Sequence, residues 1–90
     1  MRTVWKFNIP LEGSIAMPDG AQPLAVQVQD GAPCLWAMVD PSQPSVLYPI
    51  HVMDTGQRMA EPVGRYVGTF QLAGGSLVFH LFIEMEAQDA

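Results

Sequence analysis

Ninety residues with four basic and nine acidic side chains carry a formal charge of −5, and a chain this short makes one domain that buries roughly 60 to 65% of its unfolded surface. So few cations, none of them clustered, exclude the counterion-displacing surface that a nucleic-acid polymer requires. One cysteine excludes an intrachain disulfide, and no apolar run reaches the core of a signal peptide or the roughly 18 residues of a membrane span.

These features point to a cytoplasmic setting without membrane attachment. Hydrophobic residues make up 49% of the chain, which is generous for its length. Part of the apolar surface is therefore expected to be covered by another subunit or a partner, and a homo-oligomer is the expected state.

In chain order, Arg2 to Ile9 alternates, with Thr3, Trp5, Phe7 and Ile9 on one side and Arg2, Val4, Lys6 and Asn8 on the other. That is the period of a half-buried strand, and Pro10 ends it by removing a ladder donor. Ser14 to Met17 reads as a short second strand, closed by the turn Pro18-Asp19-Gly20. Leu24 to Gln29 and Cys34 to Val39 form a hairpin around Asp30-Gly31-Ala32-Pro33. Any even loop there puts Leu24, Val26 and Val28 on the side of Leu35, Ala37 and Val39, with Gln27, Gln29, Cys34, Trp36 and Met38 opposite.

Asp40 to Pro44 is a loop by composition. Val46 to Met53 is extended again, and Pro49 in its middle predicts an edge strand or a bend. Asp54 to Val63 shows no clear period and reads as the longest connection. Gly64 to Met85 holds two β-rich runs around Gly74-Gly75, where positive φ costs nothing in sterics, so it reads as a second hairpin. An even loop sets Leu72 against Leu77, Phe70 against Phe79, Gly68 against Leu81 and Tyr66 against Ile83 on the core side. The other side pairs Gln71 with Val78, Thr69 with His80, Val67 with Phe82, and Arg65 with Glu84 as an ion pair. Residues 84–90 are acidic and small and read as a frayed tail. The expected architecture is all-β, with residues 1–90 as a single domain. Six to seven short, mostly antiparallel strands would form a small barrel or a two-layer sandwich.

His51, His80 and Cys34 are the whole stock of good metal-ligating or nucleophilic side chains, and none stands at ligand spacing. No catalytic residue, metal site or cofactor is assigned, and an enzyme is not expected. The plain reading makes His80 a sheet residue bonded to Thr69 or water, His51 a surface position and Cys34 an inert packed thiol. Gly64, Gly68, Gly74 and Gly75 do not cradle a phosphate, because no helix N-terminus follows them. Gly68, inside a strand, marks a bulge or a close approach by a bulky neighbour.

Two surfaces remain. Trp36 and Met38 of one hairpin, with Val67, Val78 and Phe82 of the other, lie on faces their own hairpins leave open, which suits a partner-binding surface. The plainer alternative is that these residues face one another across the two layers. Gln57, Arg58, Arg65 and Tyr66 bracket the long connection and would clamp a phosphate or carboxylate while the ring stacks on a base. Its plain counterpart pairs Arg65 with Glu84 and leaves Arg58 in solvent.

The segments MPDGA (17–21), VQVQDGAPCLWAMVDP (26–41) and GRYVGTFQLAGGSLVFHLF (64–82), with the opening VWKF (4–7), resemble a family of short phage and prophage proteins with no assigned activity. The resemblance spans most of the chain outside 42–63 and the tail. It implies a context and no catalytic residue. Small acidic phage proteins of this kind act in the host cytoplasm by binding a host component. The expectation is a non-enzymatic protein that inhibits a host protein of antiviral defence. The alternatives are an oligomer that sequesters a small nucleotide immune signal, and a minor structural or accessory phage protein.

Overall fold

A computed structural model describes residues 1–60 and 63–86. Among the described residues there are seven strands: β1 (Thr3–Asn8), β2 (Ser14–Pro18), β3 (Gln22–Gln29), β4 (Ala32–Val39), β5 (Ser45–Asp54), β6 (Arg65–Leu72) and β7 (Leu77–Ile83). Each coincides with an alternating or β-branched run in the sequence, and the breaks fall at Gly, Pro and Asp clusters. Asp30 and Gly31 take φ of 52° and 79°, so β3 and β4 are joined by a two-residue turn with both residues left-handed, the geometry that matches strand twist. Between β6 and β7 a four-residue loop, Ala73 to Ser76, keeps Leu72 opposite Leu77 as an even loop must.

The strands form two antiparallel sheets, one ordered β1-β4-β3 and the other β2-β5-β7-β6, with no closed barrel. Inward residues of both sheets make the core: Leu35, Ala37 and Val39 of β4, Ile15 and Met17 of β2, Tyr48 and Ile50 of β5, Leu81 and Ile83 of β7. The Tyr48 hydroxyl is the one polar group carried deep into this cluster among the described residues, and it accepts the Gly20 N–H at 3.0 Å. No helix among the described residues is long and apolar enough to cross a membrane.

Two one-residue bulges correct the expected facing. In β6 Val67 is the extra residue between Tyr66, opposite Phe82, and Gly68, opposite Leu81. The expected pairs hold from Gly68 to Leu72 and slip beyond, so Tyr66 faces Phe82 and Arg65 faces Ile83. Tyr66 turns out to solvent and Val67 packs on the core, the reverse of the alternation. In β3 the extra residue is Leu24, between Pro23 and Ala25, which exposes Leu24 and buries Pro23 against the row of Ala37.

Pro49 lies in an interior strand, not an edge, because β5 runs between β2 and β7. The Pro49 carbonyl accepts the Glu84 N–H at 2.9 Å, so its side of the backbone faces β7 one rung past the last ladder pair, Ile50 with Ile83. The missing donor falls where the ladder is already ending. The Glu84 bond also holds the chain beyond β7, and Met85 packs against the core, so the tail is not frayed from 84. Residues 87–90 of the expected tail, and Glu61 and Pro62 of the long connection, lie outside the described residues.

The sheets approach most closely where β6 passes β3. A Cβ added to Gly68 would stand 3.2 Å from Val26 Cβ and 3.3 Å from its Cγ2, and a β-branched neighbour has little rotamer freedom to retreat. Gly68→Ala is expected to lower the unfolding free energy by roughly 1–3 kcal/mol through overpacking. Val26→Ala in the same chain should return part of it. In a urea double-mutant cycle the two changes should couple by at least about 0.5 kcal/mol, and strict additivity would show that the strands do not press together there.

In the loop between β4 and β5, one Asp40 carboxylate oxygen accepts the Ser42 hydroxyl at 2.7 Å and the Ser42 N–H at 3.0 Å. The hydroxyl bond first, then the backbone bond, holds the Asp40 carboxyl below its ordinary pKa. Because the folded value is the lower one, the stabilisation is present above the unfolded pKa and fades as pH falls through the folded value. Ser42→Ala should move the Asp40 midpoint upward in an NMR carboxyl titration; an unchanged midpoint would mean the turn does not form in solution.

Candidate functional site

The five residues expected to form one partner surface are divided among three places. Trp36 and Met38 lie half-buried on the outer face of the three-stranded sheet, opposite the core row of Leu35, Ala37 and Val39. Lys6 covers Trp36, with Nζ 5.9 Å from the ring centroid and bonded at 2.7 Å to the Gln29 side-chain oxygen across the sheet. A snorkelling lysine stem of this kind shields an indole while its charge stays wet. Cys34, next in the row, is buried and points its thiol toward the Ala32 carbonyl at 3.6 Å. Val67 is removed from the surface altogether by the β6 bulge. Val78 and Phe82 stand half-buried on the outer face of the other sheet.

That second face is the more developed one. Direct pairing sets His51, Phe82 and Tyr66 in one row across β5, β7 and β6, and Met53, His80 and Thr69 in the next. Tyr66 is 52% exposed, and its ring lies 5.5 Å from that of Phe82 at 59°, a tilted aromatic pair. Around the pair runs a hydrogen-bonded chain. The Tyr66 hydroxyl meets Thr69 Oγ1 at 2.6 Å, Thr69 Oγ1 meets His80 Nδ1 at 2.9 Å, and His80 Nε2 meets Thr55 Oγ1 at 2.7 Å. At the other end of the row His51 Nε2 and Glu84 Oε2 are 2.8 Å apart. Hydroxyls both donate and accept, so either tautomer of His80 satisfies the chain.

Glu84 is thus engaged by His51, and the expected Arg65–Glu84 ion pair is absent among the described residues. Arg65 and Arg58 are both exposed. Gln57 closes a tight turn instead of reaching outward, since its N–H bonds the Asp54 carbonyl at 3.0 Å and its side-chain oxygen accepts the Asp54 N–H at 3.0 Å. Of the four residues expected around a nucleotide, Arg65 and Tyr66 are neighbours in β6 but stand on opposite faces, Arg65 across from Ile83 and Tyr66 across from Phe82.

Met53 and Thr55 also belong to this outer face without a sequence signal of their own, His51 joins it from the surface position expected for it, and Glu84 joins it with a partner other than Arg65. The alternation in β5 already placed His51 and Met53 together, but reading Pro49 as an edge marker separated that strand from Phe82. Among the described residues no three His, Cys, Asp or Glu side chains gather closely enough to hold a metal ion. The face offers aromatic, thioether and hydroxyl contacts with one histidine–carboxylate pair at its margin, a chemistry for contact and hydrogen bonding.

Comparison with known families gives a match over residues 1–90 to a domain of unknown function, DUF7352, and the chain belongs to that family. No curated protein and no solved structure matches it.

Thr69→Val removes the hydroxyl that links Tyr66 to His80. Because all members of the chain reach water, the expected cost in unfolding free energy is about 1 kcal/mol or less. The Tyr66 ring should become more mobile, visible as sharpened, averaged ring resonances in NMR spectra. A loss of stability above roughly 3 kcal/mol would show that the network holds the fold and not the face.

Proposed function

We propose that this member of the DUF7352 family is a non-enzymatic binding protein that occludes a host protein of antiviral defence with the outer face of its four-stranded sheet. The observation that carries this reading is the row of His51, Phe82 and Tyr66, in which an exposed tyrosine ring rests on a half-buried phenylalanine. Rigid aromatic side chains with a polar tip contribute large contact area for little conformational entropy, and they anchor many protein interfaces. Met53 lies in the row next to the aromatic pair, and the Thr55–His80–Thr69 chain crosses the face as a polar strip between that pair and Val78.

The formal charge of −5 favours a partner with a basic surface and disfavours nucleic acid. The host setting, the cytoplasm of the infected cell, rests on the likeness of residues 17–21, 26–41 and 64–82 to phage-borne proteins. The rival reading, sequestration of a small nucleotide signal, has less behind it, because Arg65 and Tyr66, though both exposed, stand on opposite faces of β6. A role as a minor phage structural protein has no feature of the fold in its favour.

A pull-down from host lysate is expected to retain one dominant protein, and Tyr66→Ala should weaken its binding by at least about tenfold while leaving the thermal midpoint nearly unchanged. Full retention by Tyr66→Ala would exclude this face. If the material carried down is instead a nucleotide, released by Arg65→Ala and detected by mass spectrometry, the sequestering reading replaces it.

A further inference from the structure

Four strands end the two sheets, and three of them carry the devices by which proteins keep an open edge from pairing. β2 is only five residues long and includes Pro18. β3 carries Pro23 and the bulge at Leu24, and β6 carries the bulge at Val67. β1 has none of these. Its six residues pair with β4 in unbroken register from Thr3 to Asn8, without proline or bulge. Its one lysine is drawn onto the sheet's outer face over Trp36 and bonded to Gln29, away from the edge.

The hydrogen-bonding parity of this strand follows from one contact beyond it. The Ile9 N–H donates to the Pro33 carbonyl of β4 at 3.2 Å, so Thr3, Trp5 and Phe7 direct their backbone groups to β4. Val4, Lys6 and Asn8 direct theirs to the open side. Along the same stretch Val4 is 53% and Trp5 41% exposed, large apolar groups on opposite faces of one edge.

We propose that β1 is the self-association strand of this protein, pairing antiparallel with β1 of a second copy to make a continuous six-stranded sheet. The strand is self-complementary about Trp5. With Trp5 on the twofold axis it meets Trp5 of the second copy as a non-hydrogen-bonded pair, the closer of the two antiparallel spacings and the one that brings aromatic side chains together. In that register Val4 faces Lys6 of the second copy, Thr3 faces Phe7 and Arg2 faces Asn8. No like charges stand opposite one another. The outward N–H and C=O groups of Val4 and Lys6 are then bonded to each other across the axis. A second copy is favoured over a foreign strand because the same six residues supply both halves of a matched ladder.

Sedimentation of the whole chain at concentrations up to about 100 µM should give twice the 9.8 kDa chain mass. Val4→Pro removes an N–H that points to the open edge and takes no part in the β1–β4 ladder, so it should give a monomer with an unchanged circular dichroism spectrum. In the wild-type chain the amide protons of Val4, Lys6 and Asn8 should exchange more slowly as concentration rises, by at least about tenfold over the range in which the dimer forms. That measurement decides the matter if Val4→Pro fails to fold. A wild-type chain that stays monomeric overturns the proposal, as does a dimer in which those three amides exchange freely, or one that survives Val4→Pro. Protection of the same amides only on adding a foreign acidic peptide overturns the second-copy assignment. None of these readouts involves Tyr66, so they stand or fall apart from the host-partner reading.

Discussion

The close passage of β6 over β3 at Gly68 is the constraint on which the rest of this small protein depends. Without a side chain at 68, the Val26 side chain comes within van der Waals reach of the β6 backbone. Both strands that meet there carry a one-residue bulge, at Leu24 and at Val67. Bulges increase local twist and bend the strand that carries them. Two bulged edge strands therefore turn toward each other, and the two sheets are joined along one side without closing a barrel.

That junction decides which side chains the molecule shows. The Val67 bulge rotates Tyr66 outward beside Phe82 and sends Val67 into the core, so an aromatic pair stands on the outer face of the larger sheet. A hydroxyl and imidazole chain fits around it because the same slip sets Tyr66 within reach of Thr69. On the smaller sheet the outer face has a different character. There Trp36 is covered by the Lys6 stem and Cys34 is closed off, while Val4 stands exposed at the β1 edge. The two outer faces therefore differ in what they present.

The opposite side of the molecule is open. With the sheets joined at β3 and β6, β1 and β2 are left as outer edges, and Thr3 and Trp5 on the inner side of β1 stay exposed. Trp5 and Phe7, aimed inward by the alternation, are consequently only partly covered. A thin core in a chain of 90 residues leaves apolar side chains over, among them Val4 and Trp5 at the β1 edge and Tyr66 on the outer face of the larger sheet.

Local chemistry alone determined the seven strands, both hairpin turns and most of the core. Alternation reports a strand wherever one face is buried, and Asp30-Gly31 and Gly74-Gly75 carry their turn geometry in their own φ preferences. Membership in a family with no assigned activity was legible as well. What the sequence pattern misplaced was the facing beyond each bulge, the interior position of β5 and the partner of Glu84. A bulge inserts one residue without a composition mark of its own, and one residue inverts every side chain that follows. Gly68 hinted at it, but whether a strand glycine means a bulge, a close neighbour or both is decided by what lies across from it. Pro49 misled for a related reason: its missing donor costs little only because β7 happens to end at that rung. Contacts between strands far apart in sequence settled each of these points, and alternation within a single strand carries no information about them.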